Sequence, residues 1–365
     1  MNNQDRSSST SDGSSGFTRR SALRRAAAAG ALLSLSPLGL GIPATAEAAE
    51  GERFGKFPKH PTWKFTFVNH VTTNPFFVPT RYGAEDACAL LGCSYQWTGS
   101  EKSIATDMVN AFNTAVSAGV DGIACSLVDQ AAFNDPTEKA LKAGIPVVSY
   151  NADTTGNKRL CYIGQDLFVS GKGLGQRIVE LVPEGEVVGF IATPGQLNIQ
   201  PRLDGAKAAI KESGKNITLN EVSSGAALND EVSAVEAYFA GHPNVKGMFA
   251  VDAGSTAAVA KAMAAHQLQS KGVHAGGFDL LPTTLDAISK GDLDFTIDQQ
   301  PYLQGFYTVM VLFLYKISGG LTGPSDINTG LNFITKTSVD PFLHSQSRFE
   351  GNSSEQKVLT RSGAI

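Results

Sequence analysis

The chain has 365 residues, 42% of them hydrophobic and 18% charged, with 38 glycines and a formal net charge of −4. Two domains of about 150 residues each are the natural division at this length, and the composition excludes collagen-like, coiled-coil and disordered classes. Arg6, Arg19, Arg20, Arg24 and Arg25 crowd the first 46 residues against only Asp5 and Asp12. The remainder is therefore more acidic than the total suggests and offers nothing to a phosphate backbone, so no nucleic acid is expected as a partner.

Residues 1–16 are rich in Ser, Asn and Gly, without an apolar run. Thr18-Arg19-Arg20-Ser21-Ala22-Leu23-Arg24 follows, then an apolar stretch from Ala26 to Leu40 and small residues at Ala44-Thr45-Ala46. A charged segment, a short apolar segment and an A-x-A site make an export signal, and the stretch is short for a membrane span of about 20 residues. The arginine pair resembles the twin-arginine type. No cysteine lies near the cleavage point, so the expectation is a free periplasmic protein without a lipid anchor, beginning near Glu47 or Ala49. Cys88 ends a predicted helix and Cys93 opens the next strand, near enough for a local bridge. Cys125 and Cys161 fall in apolar strands as small buried side chains. No pairing is assigned, and the four match no zinc spacing.

From Trp63 onward the pattern is strand, turn, helix, repeated. Strands are predicted at 64–69, 93–97, 121–126, 145–150, 159–163, 186–191, 217–222, 246–251, 273–277 and 293–297. They are short apolar runs rather than alternations, as parallel strands buried on both faces require. A helix over 102–118 places Ile104, Met108, Ala111, Phe112, Ala115 and Val116 on one face. Gly92, Gly119, Gly144, Gly214 and Gly241 follow helices, as stops. Alternating strands and helices make a doubly wound α/β fold, and this many strands divide better between two sheets than within one. In open α/β sheets, ligands bind beyond the carboxyl ends of the strands. Two facing sheets then form a cleft able to close by a hinge.

The strand ends are therefore the candidates. The first gives Asn69-His70-Val71-Thr72-Thr73-Asn74-Pro75-Phe76-Phe77, with Asn74 and Pro75 well suited to start a helix. Two adjacent Phe there cannot both face the sheet, so one is expected in the cleft. Aromatic rings take the C–H face of a sugar, and amides and carboxylates take its hydroxyls. Later strands end at Gln96-Trp97-Thr98, Ser126-Leu127-Val128-Asp129, Tyr150-Asn151-Ala152-Asp153, Val251-Asp252, Gly277-Phe278-Asp279 and Asp298-Gln299-Gln300-Pro301. Together they ring the cleft with Asn, Asp, Gln and aromatic side chains, a polarity suited to a sugar or polyol.

Catalytic and cofactor motifs are absent. Gly171-Lys172-Gly173-Leu174-Gly175 lacks dinucleotide-loop spacing and falls inside a predicted helix, where close packing explains the glycines. Histidines at 60, 70, 242, 266, 274 and 344 show no metal-ligand spacing. Asp252 and Asp279 could form a glycosidase-type acid pair, but nothing else supports one. Neither an enzyme nor a cofactor is expected.

Asn74-Pro75-Phe76-Phe77, Gly144-Ile145-Pro146-Val147-Val148, His242-Pro243-Asn244-Val245, Gly276-Gly277-Phe278-Asp279 and Thr296-Ile297-Asp298-Gln299-Gln300-Pro301 occur in an order that resembles the ribose/galactose-type periplasmic sugar-binding proteins. The resemblance spans about residues 63–340. It implies ligand contacts from Asn74, Phe76, Phe77, Asp279 and Gln299, with His70 at a small-polar position and Asp252 where the family often has Asn. Trp97, Asn151 and Asp153 are further candidates from the strand ends. Ribose binders have Asp-Arg where this chain has Asn151-Ala152, and a binding Arg is replaced by Gln200, with Arg202 two residues on. A guanidinium fork for paired hydroxyls is therefore missing or relocated.

The resemblance also implies a monomeric solute-binding protein that delivers its ligand to an ABC permease. Alternatives are a sensory module feeding a chemoreceptor or histidine kinase, or a nucleoside binder. A related repressor would need an N-terminal helix-turn-helix where this chain has its leader. The first lobe is expected at 60–165 plus 300–327 and the second at 166–299 plus 328–342, with three hinge crossings near 165, 299 and 328. A polar tail from 343 to 365 is expected to lie loosely on the surface.

Overall fold

The structure is a computed structural model that describes residues 57–359, so the leader expectations lie outside the described residues. Strands fall into two six-stranded sheets. The first has the order β11-β5-β4-β3-β1-β2, with β1 Lys64–Asn69, β2 Ser94–Gly99, β3 Gly122–Cys125, β4 Val147–Tyr150, β5 Tyr162–Gly164 and β11 Asp326–Asn328. The second repeats that order as β12-β10-β9-β8-β6-β7. Its strands are β6 Gly185–Ile191, β7 Ile217–Ser223, β8 Gly247–Ala250, β9 His274–Phe278, β10 Phe295–Asp298 and β12 Asn332–Thr335. All pairings are parallel except β10 with β12.

The central strands are buried throughout, which is why they read as apolar runs. Strands β11 and β12 were not anticipated: they are three and four residues long and lie at sheet edges, β11 mostly exposed and β12 half-buried with only Ile334 fully buried, so neither makes an apolar run long enough to read as a strand. The chain passes between the sheets after β5, after β10 and between β11 and β12.

Each lobe holds one tightly packed helix pair. In the first, α1 (Val78–Leu91) lies on α9 (Pro301–Ser318). A Cβ on Gly83 would stand 2.0 Å from the Tyr302 carbonyl oxygen, and one on Gly305 would stand 1.9 Å from that of Thr80. In the second, α4 (Leu167–Leu181) lies on α5 (Gln200–Ser213). Here a Cβ on Gly171 would stand 2.0 Å from the Arg202 carbonyl oxygen, and one on Gly205 would stand 2.3 Å from that of Phe168. The Gly171–Gly175 cluster is thus a helix-packing device, and it fixes the backbone of Arg202.

Three local expectations need correcting. Ile104 precedes helix α2 (Ala105–Ser117) and is 45% exposed, whereas Met108, Phe112 and Ala115 are buried beneath it. Gly92 and Gly214 close their helices in the left-handed region, but Gly241 remains helical and His242 caps it. The described part of the tail, up to residue 359, is docked rather than loose. Phe342 and Leu343 pack on the second lobe's core, and the chain then returns to the first lobe. There Arg348 donates to Asp86 at 3.1 Å and Glu85 at 2.8 Å, and its guanidinium covers the Tyr82 ring. Phe349 packs edge-on against Tyr302. The four cysteines are free, and burial pushes the Cys88 and Cys93 thiols up to about 12 and about 11.

Candidate functional site

A cavity of about 60 Å³ lies between the lobes at the carboxyl ends of the strands. On the first lobe, the Asn69 side chain accepts from Val71 N and donates to Tyr150 Oη, which tightens the turn after β1. That turn puts His70 in the cavity wall, with Nδ1 3.0 Å from Ser126 Oγ and Nε2 3.1 Å from Asn198 Nδ2 of the opposite lobe. The Asn198 amide donates to Nε2, so Nδ1 carries the proton and donates to Ser126. Burial holds His70 down at about 3, so it is neutral. The Asn74 side chain accepts from Phe76 N and caps a 3₁₀ turn, Pro75–Phe77, that leads into α1. Both Phe76 and Phe77 line the cavity, their rings edge-to-face at 4.7 Å. The expectation that one faces the cleft understated the arrangement: the 3₁₀ turn presents both.

Asn151 after β4 and Asp279 after β9 occupy equivalent places in the two sheets, and both have left-handed φ, 64° and 76°. Such backbone is uncommon for residues other than glycine and gathers at functional sites. A run of side-chain amides joins them. Asn151 Nδ2 donates to Gln304 Oε1, Gln304 Nε2 donates to Gln299 Oε1 at 3.0 Å, and Gln299 Nε2 donates to Asp279 Oδ1 at 2.8 Å. Gln304 and Gln299 each use both amide ends within the run, which terminates on a carboxylate acceptor. It links the two lobes through helix α9.

The second lobe supplies the charge. Arg202 is 2% exposed. It donates from Nη1 to Val251 O and from Nη2 to Gln165 Oε1, and it lies over the Phe278 ring at 4.1 Å. Among the described residues its Nε has no partner, nor has Asn198 Oδ1. Burial pushes Asp279 up to about 7, against the pull of Arg202 and Gln299. Asp252 caps helix α7 (Ala253–Ala265) by accepting from Ser255 N. Its other oxygen accepts from Ala192 N and Ser255 Oγ. Burial, and then neighbouring Asp252, push Glu231 on helix α6 (Leu228–Gly241) up to about 9.

The lobes are in contact around this cavity. Leu197 N donates to Val128 O at 2.9 Å, Ser103 Oγ donates to Gln196 Oε1, and Gln196 Nε2 donates to Ser103 O.

The structure therefore brings His70, Asn74, Phe76, Phe77, Asn151, Arg202, Asp252, Asp279 and Gln299 to one cavity. It does not bring Trp97, Asp153 or Gln200 there. Trp97 lies behind Phe77, its ring stacked on Phe67 and its Nε1 donating to Thr72 O. Asp153 is taken by Arg159 Nε at 3.0 Å and by Ser149 Oγ. Gln200 bridges Gly195 N and Asp204. The guanidinium at the cavity is Arg202, two residues on from the expected position.

Sequence reasoning missed Ser103, Asn198, Glu231 and Gln304. Gln304 was detectable as a polar residue in the apolar run of α9. Glu231 sits among acidic residues at a helix start, a pattern that usually marks a solvated end. Among the described residues, no group of three or more His, Cys, Asp or Glu side chains could hold a metal ion. A roomier groove of about 860 Å³ runs between Phe76, Tyr302, Phe333, Phe342 and the tail. It is largely apolar and lacks the converging strand ends.

Residues 65–319 match the model of a family described as periplasmic binding protein domain. The chain is 50% identical over 337 residues to the xylose/arabinose-binding protein XylF of Sulfolobus acidocaldarius, covering 88% of this chain and 83% of that protein. It is similar to the solved structure of an ABC transporter solute-binding protein from Burkholderia graminis in complex with D-arabinose. That match has 27% identity and a TM-score of 0.71 over 77% of this chain and 97% of the other. A carbohydrate transporter from Acidothermus cellulolyticus in complex with myo-inositol matches at 27% identity and a TM-score of 0.69, over 78% and 97%. With two parallel-sheet lobes, a polar cavity at their strand ends and these likenesses, the chain belongs to the periplasmic binding protein family.

Proposed function

We propose that this protein is a non-catalytic receptor that takes one neutral sugar, a pentose or a closely related polyol, between its lobes and presents it to an ABC permease. The observation that carries the reading is the buried interlobe cavity, where Arg202 Nε and Asn198 Oδ1 lack partners among the described residues. Buried polar atoms without partners are costly, and a ligand hydroxyl beside each would relieve that cost. The Phe76–Phe77 pair offers an apolar wall for the C–H face, and Asp279, held in place by Gln299, offers an acceptor. The relatives named for xylose and arabinose support the pentose class.

Ligand pockets commonly measure about 300–1,000 Å³, against about 60 Å³ here. Entry therefore requires the lobes to part, and the three crossings form the hinge of that motion. The leader, with Arg19-Arg20, supports export by a twin-arginine route to the periplasm. No helix among the described residues is long and apolar enough to cross a membrane. The working form is a monomer.

Calorimetric titration with D-xylose, L-arabinose, D-arabinose, D-ribose and myo-inositol tests the reading. A saturable one-to-one isotherm with a pentose is expected, with a matching rise in melting temperature. Flat titrations with all five would overturn it.

A further inference from the structure

Asp252 stands at a strand end facing the cavity, yet its carboxylate has little left to offer a ligand. An ionised carboxylate has about four acceptor sites. Ser255 N, Ser255 Oγ and Ala192 N occupy three of them. The fourth contact is with the Glu231 carboxyl. Two carboxylates in contact cannot both be ionised cheaply, so the pair holds a shared proton, carried by Glu231.

Glu231 is 3% exposed and lines the same cavity as Arg202, Asp279 and His70. No donor among the described residues reaches it. Its position depends on the start of α7: a Cβ on Gly254 would stand 2.0 Å from Glu231 Oε2 and 2.3 Å from Oε1. Only glycine at 254 lets the carboxyl reach that place. A nearly buried carboxyl with one hydrogen bond to Asp252 and no other partner has hydrogen-bonding capacity left for the cleft.

We propose that Glu231, rather than Asp252, is the acid of the α6–α7 side that binds a ligand hydroxyl, with Asp252 acting as the positioning residue that holds it. The inference rests on the sugar-binding reading of this cavity and identifies which side chain determines specificity on one side of it. Groups facing Glu231 are Asp252, Asp230 on its own helix, and Arg202, Asp279 and His70 across the cavity.

The test is calorimetric titration of the full chain with the pentose that wild type binds best, using E231A, E231Q and G254A with melting curves alongside. E231A is expected to lose roughly 10- to 100-fold in affinity, and E231Q, which keeps a donor toward Asp252, to recover most of that loss. G254A is expected to weaken binding with Glu231 still present, because the new Cβ displaces its carboxyl. Between pH 8 and 10, Asp279 is already ionised. Wild-type affinity should fall there as Glu231 loses its proton, while E231Q stays level. Should wild type bind no pentose, the sugar reading fails and takes this inference with it. Should wild type bind and E231A match it, or E231A and E231Q lose equally, the assignment to Glu231 alone is overturned.

Discussion

Both lobes use the same strand order around the same cavity, but the first contributes His70, Asn74, Phe76, Phe77 and Asn151, and the second contributes Arg202, Glu231, Asp252 and Asp279. With His70 held neutral, the first lobe brings no charge to the cavity. The second lobe carries both signs, and Arg202 attracts Asp279 and Asp252 within its own walls. Charges that neutralise one another inside one lobe stay paired whether the cleft is open or shut. A charge pair split across the cleft would instead be broken and rehydrated at each opening. The first lobe is thus suited to shape and the second to hydroxyl recognition.

Truncating one residue from each lobe separates the two roles. Phe77 is 2% exposed and packs on His70, Phe76 and Trp97. Phe77→Ala should cost about 3–5 kcal/mol of stability, read by denaturant unfolding. Asp279→Ala should leave a folded protein that loses on the order of 100-fold in pentose affinity, about 3 kcal/mol, by calorimetry. Reversed outcomes, with Asp279→Ala unfolding and Phe77→Ala only binding poorly, would contradict the division of labour.

The two lobes should also respond oppositely to pH. Burial lowers His70 from 6.5 to about 3. Its contribution to stability is full above 6.5 and is lost as pH falls toward 3, because only the unfolded chain takes up the proton. Asp279 is raised from 3.8 to about 7. Its contribution is full below 3.8 and is lost as pH rises through 7. At about 1.4 kcal/mol per unit, each is worth a few kcal/mol and the two oppose each other between about pH 4 and 6.5. Relative to wild type, melting temperatures of H70N should fall with rising pH across that window, and those of D279N should rise. Parallel profiles for all three proteins would remove the electrostatic contrast.

The smallest effect is expected at the seam. Asn198→Ala removes the amide that donates to His70 across the cleft. Pentose affinity should drop about three- to tenfold, with little change in unfolding midpoint, since one neutral hydrogen bond is worth about 1 kcal/mol.

Much of the fold was legible along the chain because it follows local rules. Buried parallel strands read as apolar runs, Asn74-Pro75 reads as a helix start, and Asn151 and Asp279 stand where strands of such sheets end. The same rules misplaced Asp153, a strand-end carboxylate taken by Arg159 six residues on. They also gave no sign that residues 347 and 348 are buried against the first lobe, because a polar segment held by ion pairs resembles a solvated one.

Periodicity and strand-end position, both properties of neighbouring residues, were enough to specify the alternation of buried strands and helices and to mark His70, Asn74, the Phe pair and Asn151 on the first lobe's side of the cleft. Only the tertiary structure decided the rest. Gln304 and Glu231 project from helices, and Arg202 is aimed by glycine packing between two helices. Asn198 meets its partner from 128 residues away. Whether such polar groups bind ligand or hold the structure depends on which partners already fill their hydrogen-bonding capacity, and those partners come together only when the chain is folded.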